Sequence, residues 1–166
     1  MTLQRAAAFV TIPYLVFTVS EPLGGWIADR LVALGFKEHR ARKAVVTAAF
    51  LTSPMLLVAG RTSGDTAAVW MIGAASLVGL ATGNLYTLTA NAAPEGAVGV
   101  WMGVLNFAAN ISGVAAPVIT GLLIQRTGSY YPGFVVAVVI LLLALPAYWW
   151  MVGETRHPPT EAAARA

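Results

Sequence analysis

Two asparagines four residues apart, Asn106 and Asn110, stand in an apolar stretch together with Gly103, Gly113, Pro117 and Gly121. Intervals of three and four place all six on one helix face. Carboxamides supply donors and acceptors but no nucleophile, so this face suits hydrogen-bonding a polar solute. The same spacing suits helix packing, because small residues admit a second backbone and amides bond across the interface; spacing alone supports both readings equally. Gly73, Ser76, Gly79 and Gly83 repeat the small-residue pattern earlier in the chain, and the GxxxG from Gly79 to Gly83 is first of all a packing signature. Asn84, Tyr86, Thr87 and Asn91 follow as a polar and aromatic end. Tyr86 could cap a binding cavity or sit in an interfacial aromatic belt with Trp149 and Trp150. Glu21 is the one acid well inside an apolar run, which makes it a functional candidate by default. Its place two turns before Asp29 also lets it reach an aqueous vestibule or a loop arginine.

Catalytic constellations are missing. No nucleophile elbow, zinc-protease helix, P-loop or spaced carboxylate pair occurs. The chain has no cysteine, and its two histidines, His39 and His157, lie in polar segments, so neither a metal site, a cofactor nor an enzymatic activity is expected.

The elements that must position these residues are membrane helices. Of the 166 residues 58% are hydrophobic and 10% charged, against about 25% charged in soluble domains, and the mean hydropathy is +0.73. Five apolar segments, at about 6–28, 44–60, 67–92, 98–124 and 131–152, are each near the roughly 20 residues that cross a bilayer. The short connections between them favour antiparallel neighbours, so the expectation is an all-α protein of five transmembrane helices over 1–152 and a cytoplasmic tail over 153–166. The first segment is not read as a signal peptide, since Glu21, Pro22, Asp29 and Arg30 stand where a small-residue cleavage site would lie.

Basic residues set the orientation. Arg30, Lys37, Arg40, Arg42, Lys43, Arg156 and Arg165 fall on one side, against Arg5, Arg61 and Arg126 on the other, which places the long loop and the C-terminus in the cytoplasm. Met1 would then lie outside, an arrangement that leads one to expect further chain upstream. The net charge of +3 comes mainly from that basic cluster, which in a membrane protein fixes orientation; nucleic acid is not an expected partner.

Gly24-Gly25-Trp26-Ile27-Ala28-Asp29-Arg30-Leu31, followed by Gly35 and Arg42-Lys43, resembles the loop motif of the major facilitator superfamily. Ala93-Pro94, Gly99, Gly103, Asn106-Phe107, Asn110, Gly113, Pro117, Thr120-Gly121 and Thr127-Gly128-Ser129 resemble helix eleven and its flanks in the anion:cation symporter branch. That branch carries sugar acids and other organic anions, generally with protons or sodium. The resemblance implies a partial C-terminal six-helix bundle, helices eight to twelve, in the cell (inner) membrane. Asn106 would be the helix-eleven asparagine that contacts substrate, with Asn110 beside it. Tyr86 falls where many members have a tryptophan, and Asn84 would add a contact. Gly25, Asp29, Arg30, Arg42 and Lys43 would belong to the gating loop. Leu34 departs from the pattern, since an arginine often precedes the loop glycine, and its absence would weaken that latch. The coupling carboxylates of the branch lie in its N-terminal half, so the 166-residue chain alone is not expected to transport and would need that half in cis or in trans. The alternative is a non-transporting helical membrane module or a truncated remnant.

Overall fold

The computed structural model describes residues 3–151; the expected tail, 153–166, lies outside them. Every element among the described residues is helical. Helix α1 runs Leu3–Ala33, 31 residues or about 46 Å. Helices α2 (Glu38–Phe50) and α3 (Met55–Ala59) form a second segment. Helix α4 (Asp65–Ala75), a 3-10 stretch (Ser76–Ala81) and α5 (Thr82–Ala92) form a third. Helices α6 (Val98–Thr127) and α7 (Tyr131–Met151) complete the chain. The segments Glu38–Ala59, Asp65–Ala92, Val98–Thr127 and Tyr131–Trp150 combine the length and apolarity a membrane crossing needs. Helix α1 matches them in length and carries Glu21, Asp29 and Arg30 in its second half. Among the described residues the fold is all-α, with four segments that meet the requirement for a membrane crossing and a fifth, α1, of comparable length.

The first connection is shorter than the expected basic loop. Gly35, at a φ of +95° that side-chain-bearing residues rarely adopt, turns the chain out of α1. Lys37 is extended (φ −61°, ψ 132°), and α2 begins at Glu38, an acid suited to the positive end of a helix. Arg30 therefore sits in the last turn of α1, and Arg40, Arg42 and Lys43 in the first turns of α2. An apolar-run reading starts this helix near residue 44, because its opening turns are charged.

Two interruptions lie inside the segments. Pro54 has no N–H to give the Phe50 carbonyl, which instead accepts from Ser53 at 3.1 Å in a tightened turn between α2 and α3. The 3-10 stretch lies where α1 crosses most closely. A Cβ on Gly24 would run into the Leu80 carbonyl, and one on Gly79 would come within 2.7 Å of the Phe17 carbonyl. The glycine stripe thus packs against α1, as its small residues require in a membrane, where packing rather than water exclusion holds helices together.

The buried core joins Val46, Ala49 and Phe50 of α2 to Ala81, with Val78, Leu80 and Leu85 around it and Leu141, Ala144 and Leu145 approaching from α7. Helix α6 contacts α5 and α7 and contributes no buried residue.

Candidate functional site

Where α1 meets α2, the Arg42 guanidinium links three helices. Its Nε donates to Glu38 Oε1 one turn earlier on α2 at 2.9 Å. Its Nη2 donates to Asp29 Oδ1 on α1 at 3.1 Å, and its Nη1 to Asn84 Oδ1 on α5 at 3.2 Å. A planar fork with five N–H groups can serve three acceptors in different directions; an ammonium cannot hold that geometry as rigidly. Asn84 is fully buried, and its Nδ2 donates to the Leu80 carbonyl at 2.9 Å. Asn91, two turns further along α5, donates from Nδ2 to the same Glu38 Oε1 at 3.3 Å. The junction is a charged and amide cluster at one end of the bundle, with Arg42 as its hub.

Several assignments change at this point. Asp29 and Arg42 meet directly. Asn84, expected beside a solute, has its oxygen on Arg42 and its nitrogen on the helix, so in this conformation its amide belongs to the junction. Tyr86 follows two residues later, about 200° around the helix, so the two side chains cannot line one wall. Tyr86 is half exposed and makes no hydrogen bond among the described residues. Gly25 does not provide the close helix approach: nothing lies within 4 Å of a Cβ placed on it, and the contact belongs to its neighbour Gly24. Arg30 is exposed and stacks on Trp26 at 5.3 Å. Lys43 is buried, with Nζ 5.5 Å from the centre of the Trp149 ring, while the Trp149 indole donates to Thr47 Oγ1 at 3.0 Å. Glu38 was not singled out in the sequence, although its i,i+4 spacing to Arg42 was a readable signal. The seven-residue spacing of Asn84 and Asn91, two turns on one face, was the other.

Asn106 and Asn110 lie on the exposed surface of α6. Asn110 Nδ2 donates to the Asn106 carbonyl at 2.8 Å and lies 3.4 Å from Asn106 Oδ1. Pro117, inside α6, has no N–H for the Gly113 carbonyl, which leaves that oxygen without its usual helical donor on the amide face. Alongside runs an open groove of about 530 Å³ lined by Asn110 with Phe107, Ile111, Val114 and further apolar residues to Ile119. Asn106 and Tyr86 do not line it, and neither does any cation. The groove itself presents only apolar surface, so hydrogen bonds to a solute would have to come from the exposed amides beside it, and no countercharge for an anion lines it. Among the described residues no three His, Asp or Glu side chains gather as metal ligands would.

The comparison with known proteins gives this architecture its class. The Major Facilitator Superfamily profile matches residues 1–166, and the chain belongs to that family. It is 29% identical over 158 residues to the D-galactonate transporter of Escherichia coli strain CFT073, covering 95% of this chain and 36% of that protein. It is 26% identical to the protein named Probable galactarate/D-glucarate transporter GarP of Escherichia coli K12, over 95% of this chain and 35% of that one. With the Ascorbate transporter, chloroplastic, of Arabidopsis thaliana it shares 31% identity over 85% of this chain and 26% of the relative. The chain thus spans roughly a third or less of the length of these curated relatives. It is a multi-pass membrane protein of a transporter family.

Proposed function

We propose that the chain forms helices eight to twelve of a secondary transporter for sugar acids or related organic anions, and supplies one wall of its solute site. The observation that carries this reading is the family match along the whole chain, with relatives named as sugar-acid transporters. The rest of the site, including cations for the anionic solute and carboxylates for a coupling proton or sodium ion, would come from an N-terminal half, in cis or in trans. Asn106, Asn110 and Tyr86 face outward from α5 and α6 and would line the cavity between the halves. Asp29, Glu38, Arg42 and Asn84 would act as a latch at the cytoplasmic end, holding one conformation while the two bundles rock about the solute. The protein would sit in the cell (inner) membrane with its C-terminus in the cytoplasm.

The test is uptake of labelled galactonate and galactarate by the complete transporter in proteoliposomes. A lost hydrogen bond to a charged solute is worth about 1.5–3 kcal/mol. Asn106→Ala should therefore lower uptake about tenfold or more at limiting solute, and Asn110→Ala less, because its amide is already bonded to the Asn106 carbonyl. Unchanged uptake by the Asn106 variant would remove it from the site.

A further inference from the structure

We propose that the second membrane segment is a two-state element, in which the break between α2 and α3 exchanges with a continuous helix kinked at Pro54. Only the continuous form gives the Ser53 hydroxyl a partner. Eight other Ser and Thr hydroxyls, Ser20 and Ser76 among them, donate to the carbonyl four residues back. Ser53 is 1% exposed, and its Oγ has no hydrogen-bond partner among the described residues. The cause is its neighbour. The Ala49 carbonyl, four residues back, is taken twice by Thr52, from N at 3.1 Å and from Oγ1 at 2.7 Å. Thr52 reaches it because the chain tightens around Pro54, where the N–H groups of Thr52, Ser53, Met55 and Leu56 bond three residues back instead of four. The described residues themselves bury Ser53, so the missing bond does not come from a segment packed on the outside.

Returning these residues to α-helix repairs the site. The Thr52 N–H then meets the Ala48 carbonyl, and the Ala49 carbonyl becomes free for Ser53, by N–H and hydroxyl together. The Phe50 carbonyl, now served by the Ser53 N–H, loses its donor, because Pro54 has none to give. Each form thus leaves one polar group unpaired in a buried residue. The two penalties are of one kind and similar size, so the forms lie close in free energy. Over roughly four residues the tighter turns make the broken form about 2 Å longer and add about 80° of rotation. That difference moves α3, whose end is packed on α7: a Cβ on Gly60 would come within 2.8 Å of the Tyr131 ring, and Arg61 stacks on that ring at 4.7 Å. It also parts Thr52 Oγ1 from the Ala75 carbonyl, 3.4 Å away at the head of the 3-10 stretch. Arg42, near the opposite end of α2, stays in its junction. The switch moves one end of the bundle while the other is held, and it does not rest on the transport reading.

The chain has no cysteine of its own, so spin labels on Ala44→Cys and Val58→Cys, both exposed, read the distance across the break in the full chain. Double electron–electron resonance in lipid nanodiscs should show a major distance and a minor one. Pro54→Ala returns a donor to the Phe50 carbonyl and should leave only the minor distance, which identifies it as the continuous helix. Ser53→Ala removes the hydroxyl that is bonded only in that form, so its share should fall about fivefold. Ser20→Ala is the control, since its hydroxyl already bonds the Val16 carbonyl, and should leave the ratio unchanged. Ser53→Ala should also unfold at a temperature no lower than wild type, because its hydroxyl makes no bond in the major form. The proposal is overturned if wild type shows one distance only, or if Ser53→Ala keeps the wild-type ratio or unfolds at a lower temperature. It is also overturned if Ser20→Ala shifts the ratio as far, or if a crystal structure places an ordered water on Ser53 Oγ.

Discussion

At the scale of single residues, the three bonds of Arg42 are unequal. Asp29 is 68% exposed on its side chain, and such a pair contributes about 0–1 kcal/mol. The Glu38 pair, one turn away on the same helix, adds about 0.3–0.5 kcal/mol. The Asn84 oxygen is buried, and leaving it without a donor costs about 1–3 kcal/mol. Arg42→Ala should therefore destabilise the chain by about 2–3 kcal/mol, while Asp29→Asn should cost less than about 1 kcal/mol. Thermal unfolding in detergent micelles, followed by circular dichroism, compares the two; equal losses would contradict this ranking. Asp29 and Arg42 were legible as members of one loop motif, although not as a pair. Asn84 was not, because a run of polar residues at 84, 86, 87 and 91 does not say which of them faces the neighbouring helices. The opposition of Asn84 and Tyr86 follows from helix geometry only once the packed side is known.

Among the elements, the crossing of α1 over the 3-10 stretch is the tightest contact and the most exacting about residue type. Gly24→Ala must push α1 away from the Leu80 carbonyl, and overpacking of this kind costs about 1–3 kcal/mol. Gly25→Ala meets open space and should cost nothing measurable from packing. Midpoints of thermal unfolding for the two variants should separate clearly, and a Gly25 variant as damaged as the Gly24 variant would place the contact wrongly. At the far end of the core, Trp149→Phe removes the indole bond to Thr47 and should loosen α7 by about 0.5–1.5 kcal/mol in the same assay. The helices themselves were legible as apolar runs. Their ends were less so: α2 opens with charged turns, and α6 continues through Gln125, Arg126 and Thr127 to a left-handed Gly128. The 3-10 stretch could not be read, since Ser76–Ala81 contains no proline and coincides with a contact made by a distant helix.

For the molecule as a whole, α6 is the informative element. It is 30 residues long and buries none of them, with Phe107 at 66%, Val114 at 71% and Val118 at 57% exposure. A helix that is apolar all round and carries two asparagines at membrane depth has a face that lipid satisfies poorly. On the proposed reading, that face meets the N-terminal half across the solute cavity. Single cysteines at Phe107, Val114 and Val118 should react slowly with a water-soluble maleimide in the isolated chain, where lipid keeps the thiol protonated, and several-fold faster once the N-terminal portion turns that face onto an aqueous cavity. Equal rates in both states would leave α6 facing lipid. The amide pattern of α6 was visible in the sequence, but whether it packs or binds was not, because that depends on a surface outside these residues. The central claim is that this chain supplies one wall of a transport site and needs the other. Its most direct test is gradient-driven uptake of labelled galactonate into proteoliposomes holding the 166-residue chain with and without an N-terminal portion that carries helices one to seven. Uptake is expected only when both are present; uptake by the chain alone would contradict the account.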